Sequence, residues 1–250
     1  MFARVTAFLL LIASYPAFAA GCPSARESLP PLLGVQAELE AGEPLTIVAL
    51  GSSSTEGAGS SGPQASYPSR LEAALRAAFP GVELNVVNAG RSGETSAEMV
   101  ARLDRDVLSH QPDLVIWQAS GNEVLRDGDP GGFAALMRDG LRRLRAAGAE
   151  VVLMDNQRAP RILAAPASRR FDLAMQALAR DERVPLFARS RLMQRWGEEG
   201  LPPSAVLAAD DLHHNDHGYA CLAEALAAAL VRSAGHGAVI AERQAALSPR

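Results

Sequence analysis

Short apolar runs alternating with segments of helical spacing constrain the fold of this chain more tightly than any other feature. Leu45–Leu50 (LTIVAL) is aliphatic and β-branched, as a strand is when both faces of its sheet are covered. Glu83–Val87, Asp113–Gln118, Glu150–Met154 and Val184–Phe187 repeat the pattern. Between them, Tyr67–Phe79 carries Leu71, Leu75 and Phe79 and stops at Pro80-Gly81. Ser96–Leu108 carries Met99, Leu103 and Val107, and Phe133–Ala147 ends at Gly148. Ser168–Ala179 and His217–Val231 complete the set. Strands alternating with helices predict βαβ units, right-handed crossovers and a parallel sheet. The expected architecture is an α/β, three-layer α/β/α sandwich on roughly five parallel strands. In such sheets ligands bind beyond the C-terminal strand ends, so the residues following each strand are where chemistry is sought.

The N-terminus reads as an export signal. Met1-Phe2-Ala3-Arg4 is a short positive start, Val5 to Phe18 is nearly unbroken apolar sequence, and Ala17-Phe18-Ala19 offers a signal-peptidase site. That run is shorter than the roughly 20 residues of a membrane-spanning helix. The expectation is a signal peptide over 1–19 and a periplasmic or secreted mature chain from near Ala20 without a transmembrane segment. Residues 20–43 read as an irregular lead-in with one short helix around Leu32–Leu39, residues 44–232 as one domain, and 233–250 as a tail without a clear role. Export permits a disulfide between Cys22 and Cys221. Ala19-Ala20-Gly21-Cys22 also resembles a lipoprotein signal in which Cys22 carries lipid, and two free thiols are the third alternative. The formal net charge of −4 comes from mixed signs with no basic stripe, which argues against nucleic acid as a partner. No feature sets an oligomeric state.

Four polar blocks follow the strands. Gly51-Ser52-Ser53-Ser54-Thr55 lacks the lysine and glycine spacing of a phosphate loop and reads alone as a helix-capping turn. Asn88-Ala89-Gly90-Arg91-Ser92-Gly93-Glu94-Thr95 leads into a helix, whose first N–H groups suit an anion or oxyanion. Ser120-Gly121-Asn122-Glu123 offers an asparagine amide as an oxyanion donor, or simply a turn. In Ala209–Tyr219, three of the chain's five histidines crowd into eleven residues. No matching His or Cys pair lies elsewhere to complete a metal set, and an aspartate three residues before a histidine suits acid–base work: it accepts Nδ1–H and leaves Nε2 as base.

Together the blocks resemble those of the SGNH (GDSL-like) lipases and esterases: Gly-Asp-Ser after strand one, a glycine block after strand two, Gly-x-Asn after strand three and Asp-x-x-His near the end. Here they read Gly51-Ser52-Ser53, Arg91-Ser92-Gly93-Glu94-Thr95, Ser120-Gly121-Asn122-Glu123 and Asp210-Asp211-Leu212-His213, spanning about residues 45–230. Ser52 departs from the usual aspartate, and Glu123 from the commoner residue after the asparagine. The resemblance implies a flavodoxin-like fold and a serine hydrolase of carboxylic esters, short-chain or acetyl, possibly on carbohydrate, with no cofactor and no metal. Ser53 would be nucleophile, His213 base and Asp210 orienter, with Ser53 N–H, Gly93 N–H and Asn122 as oxyanion donors. Ser52, Ser54 and the pair Asp211/His214 are internal competitors for these roles. Arg91, Asn156 and Gln157 are candidate substrate contacts on the same rim. A polysaccharide O-acyltransferase using the same triad, or a carbohydrate-binding relative without catalysis, are the competing functions.

Overall fold

The computed structural model describes residues 21–23 and 27–235. The signal-peptide expectation and nearly all of the expected tail lie outside the described residues. Five strands, β1 (Leu45–Gly51), β2 (Leu84–Gly90), β3 (Leu114–Gln118), β4 (Glu150–Met154) and β5 (Leu186–Phe187), form one sheet in the order β2-β1-β3-β4-β5. Every pairing is parallel. Val48, Ala49 and Leu50 of β1 and Leu114 to Trp117 of β3 are buried completely, because helices cover both faces of these central strands. Helices Tyr67–Ala78 and Asp216–Ser233 pack on one another in one layer, and Ser96–Ala101, Pro130–Ala146 and Ser168–Asp181 form the other. The chain leaves β1 for β2 on one side and returns to β3 on the other. The switch point of the sheet therefore lies between the C-terminal ends of β1 and β3.

The helix expected over Ser96–Leu108 is broken into Ser96–Ala101, Leu103–Asp106 and a 3₁₀ turn at Leu108–His110. The break falls at Arg102 (φ −108°, ψ 7°), whose buried guanidinium binds Glu94 Oε2 at 2.6 Å and the carbonyl of Ala89 at 2.7 Å. The strand expected from Val184 begins only at Leu186, since the Val184 N–H closes the preceding helix on Ala179 O at 2.8 Å and Pro185 has no N–H. Helix Pro130–Ala146 starts earlier than its apolar period suggests, because Asp129 caps it by accepting from the N–H groups of Gly131 and Gly132. Helix Arg189–Glu198 had no counterpart in the sequence reading; its arginines conceal an inner stripe of Leu192, Met193 and Trp196.

At the opposite end of the sheet, helix Leu33–Ala41 buries Val35 and Leu39. Its Val35 N–H donates to Glu150 Oε2 at 3.0 Å, so the carboxylate at the start of β4 caps the helix N-terminus. Cys22 and Cys221 are joined in a disulfide across 199 residues, tying the first described residues to the last helix. Among the described residues no helix is long and apolar enough to cross a membrane.

Candidate active site

The first strand ends in a turn built by close backbone approach. A Cβ added at Gly51 would lie 2.1 Å from Thr55 Oγ1, and one at Gly90 would lie 2.1 Å from the Glu56 nitrogen. These glycines let the short helix Ser53–Glu56 sit directly against the end of β2. Beneath it, the buried Gln118 Oε1 accepts from Ser52 N–H at 3.0 Å, Ser52 Oγ at 3.1 Å and Thr55 Oγ1 at 3.2 Å. Ser54 Oγ accepts from Arg189 Nη1 at 3.1 Å. Ser52 and Ser54 are thus buried and bonded inward, while Ser53 Oγ faces His213 Nε2 at 2.8 Å.

His213 sits on the loop before helix Asp216–Ser233. Asp210 Oδ2 lies 2.5 Å from His213 Nδ1, and Asp210 Oδ1 accepts the backbone N–H groups of His213 at 2.9 Å and Leu212 at 3.0 Å. Partial burial raises the Asp210 pKa, but the His213 ring and these two N–H groups outweigh it and hold the carboxyl below its ordinary value. The loop is anchored by Asn215, whose side chain donates to Ala205 O and Leu207 O at 3.1 Å each and caps the helix at Gly218 N. The neighbouring His214 is fully buried, with Nδ1 3.1 Å from Val206 O and its ring between Trp196 and Tyr219. Burial, assisted by the charge of Arg189, pushes its pKa down to about 3. Asp211 is exposed at a positive φ of 54°. Of the two Asp-x-x-His pairs, only Asp210 and His213 stand in series with a serine.

On the opposite side, Asn122 Nδ2 donates to Glu94 O at 2.8 Å, leaving its second hydrogen for another acceptor. Gly93 adopts φ +81°, and Arg126 donates to its carbonyl at 2.8 Å. The N–H groups of Ser53 and Gly93 donate to no protein acceptor among the described residues. Asn122 follows Ser120, a non-glycine residue at φ +81° whose Oγ accepts from Asn156 Nδ2 at 2.7 Å. Such a backbone persists only where its surroundings enforce it.

The three candidate substrate contacts fall in different places. Gln157 lines the cleft beside Ser53, with Asn122, Leu125, Ile162 and Leu212. Asn156 is buried behind the Ser120 turn. Arg91 points away, its guanidinium 2.8 Å from Asp106 Oδ2 on the outer side of the glycine block. Cys22, His217 and Cys221 stand close together, but the disulfide takes both sulfurs.

Sequence reasoning missed Gln118, Arg102 and Arg189. Gln118 leaves a trace, as the one polar residue closing the apolar run Leu114–Gln118. The two arginines sit in stretches whose charges suggest solvent, yet both are buried.

The family model that matches it and its similarity to solved esterases place the chain in the SGNH (GDSL-like) hydrolase superfamily. More narrowly, it belongs to the Non-GDSL lipase-like family, whose sequence model matches residues 21–236. It is 37% identical over 106 residues to thioesterase 1/protease 1/lysophospholipase L1 of Escherichia coli (strain K12), a match spanning 41% of this chain and about half (49%) of that protein. Among solved structures it is similar to a two-domain esterase active on acetylated mannans, with TM-score 0.70 and 28% identity over 81% of this chain and 53% of that one. It is also similar to TesA, with TM-score 0.63 and 26% identity over 75% of this chain and 99% of that one.

Proposed function

We propose that the mature chain is an exported serine esterase that hydrolyses short-chain or acetyl carboxylic esters, carbohydrate esters among them, through an acyl-enzyme on Ser53. One observation carries this reading: His213 Nε2 stands 2.8 Å from Ser53 Oγ while Asp210 holds Nδ1 at 2.5 Å. In that series the imidazole takes the Ser53 proton as Oγ attacks the ester carbonyl, and the Asp210 carboxylate supports the imidazolium. The tetrahedral oxyanion is received by the N–H groups of Ser53 and Gly93 and the Asn122 amide. Collapse expels the alcohol, which takes its proton from His213. Water, deprotonated by the same imidazole, then attacks the acyl-enzyme and releases the carboxylic acid.

The cleft supports a small acyl group. Its free volume is only about 10 Å³, with Leu125, Ile162 and Leu212 as its apolar wall, far below the ~300–1,000 Å³ usual for drug-sized ligands. The similarity to an esterase active on acetylated mannans supports a sugar on the alcohol side. Export is supported by the N-terminal sequence and by the Cys22–Cys221 disulfide.

The test compares p-nitrophenyl esters of increasing chain length and acetylated oligosaccharides with native protein and Ser53→Ala. The proposal expects turnover greatest on acetyl esters, free acetate as product, and none with Ser53→Ala. Acetyl transfer to an added oligosaccharide instead of acetate release would replace hydrolysis by acyl transfer. Unchanged turnover in Ser53→Ala would remove the proposal.

A further inference from the structure

We propose that Arg189 is a positioning residue whose buried guanidinium sets the spacing between the nucleophile turn and the histidine loop. The inference rests on Ser53 and His213 acting as proposed above. Arg189 is 0% exposed, at the start of helix Arg189–Glu198. It donates in three directions: Nε to the Asp155 carbonyl at 3.0 Å, Nη1 to Ser54 Oγ at 3.1 Å and Nη2 to Gln157 Oε1 at 2.8 Å. Gln157 Nε2 then donates to the Leu212 carbonyl at 3.1 Å.

The relay therefore begins one residue after Ser53 and ends one residue before His213. Its members come from the ends of β1, β4 and β5 and from the histidine loop, segments far apart in sequence. All three acceptors of Arg189 are neutral. Asp155 contributes its carbonyl, because its carboxylate is taken by Ser190 N–H at 2.9 Å and Ser190 Oγ at 2.8 Å. Burying a cation is costly even with the Asp155 carboxylate near enough to favour its charge, and a cation is not what simple core filling selects. The guanidinium fork is the one side chain that reaches three diverging acceptors from a single rigid plane; an ammonium cannot. The reaction needs Oγ and Nε2 held within hydrogen-bond reach, and a displacement of about 1 Å costs up to roughly 100-fold in rate.

The experiment measures kcat and KM on p-nitrophenyl acetate, and the rate at which a fluorophosphonate labels Ser53, at a temperature where each variant is folded by circular dichroism. Arg189→Lys and Gln157→Leu should each lower kcat by about 10- to 100-fold with KM within about twofold, and labelling should slow in proportion. The double variant should be little worse than the poorer single one, as members of one relay are non-additive. Should Arg189→Lys not fold, Gln157→Leu decides alone, since it cuts the link to the histidine loop and leaves Arg189 in place. Wild-type kcat and labelling in the folded variants would overturn the inference, as would a change in KM alone. Ser53→Ala separates the two claims. Turnover surviving in Ser53→Ala removes the catalytic reading itself. A dead Ser53→Ala beside fully active Arg189 and Gln157 variants removes only the relay.

Discussion

Asp210 holds His213 at two points: Oδ2 on the ring Nδ1 at 2.5 Å and Oδ1 on the residue's own backbone N–H at 2.9 Å. One carboxylate therefore fixes both the tautomer of the ring and the backbone that carries it. Asp210→Asn keeps the shape but offers one acceptor oxygen for both tasks. The expected result is a loss of about 10³- to 10⁴-fold in kcat with a small fall in melting temperature, checked by steady-state kinetics and calorimetry.

The adjacent histidines should separate cleanly. His213→Ala removes the base facing Ser53 and should reduce turnover to background. His214→Ala removes a buried ring packed against Tyr219 and Trp196 and should leave most of the turnover while lowering the melting temperature. The reverse pattern in parallel assays would reassign the base.

His214 also gives the fold an acid-side weakness. Burial keeps it neutral down to about pH 3 in the native state, whereas an exposed histidine in the unfolded chain takes up a proton near pH 6.5. Between those values the unfolded state binds more protons, so stability from this residue falls as pH falls from about 6.5 toward 3. Asp210 has the opposite origin but the same direction. Its carboxyl is held below the ordinary value, so its contribution is present above the unfolded carboxylate range and is lost as pH drops through the folded value. Melting temperature followed from pH 7 to pH 4 should decline, and more shallowly in His214→Gln. Identical slopes would contradict this account of His214.

Gly59 marks a second constraint on the base. It adopts φ +87°, and a Cβ there would lie 2.6 Å from His214 O and 2.9 Å from His213 Cβ. Gly59→Ala must therefore both strain its backbone and push the histidine loop. A destabilisation of about 1–3 kcal/mol is expected, with a fall in kcat larger than that of a control alanine at the open Gly62. Both are read from melting curves and initial rates.

The disulfide should matter to stability and not to chemistry. Closing a loop across 199 residues contributes on the order of 5 kcal/mol in the chain-entropy model, an upper figure. Cys22→Ser should lower the melting temperature by an amount that reducing agent reproduces in the native protein, with kcat at 25 °C unchanged.

The legible parts of this molecule are those whose physics is local. Strand runs such as Leu45–Leu50 announce burial on both faces, and the four polar blocks follow their strands closely in sequence. Their meeting at one rim could be argued because a parallel sheet collects strand ends. Long-range polar packing was not legible. Arg189 and Arg102 carry charges that look solvated until the fold wraps Asp155, Ser54 and Gln157 around one, and Glu94 and Ala89 around the other. The break at Arg102 follows the same cause, since the apolar period of Ser96–Leu108 continues through a residue that must turn inward. Arg91 shows the converse: position in a block does not determine side-chain direction, and its guanidinium pairs with Asp106.

The most direct measurement of the central claim is quenched-flow hydrolysis of p-nitrophenyl acetate with peptide mass mapping of the protein. The account predicts an initial burst of p-nitrophenol and an acetyl group on the peptide bearing Ser53, both absent in Ser53→Ala. An acetyl group on Ser52 or Ser54, or steady turnover with no serine adduct and full activity in Ser53→Ala, would contradict it.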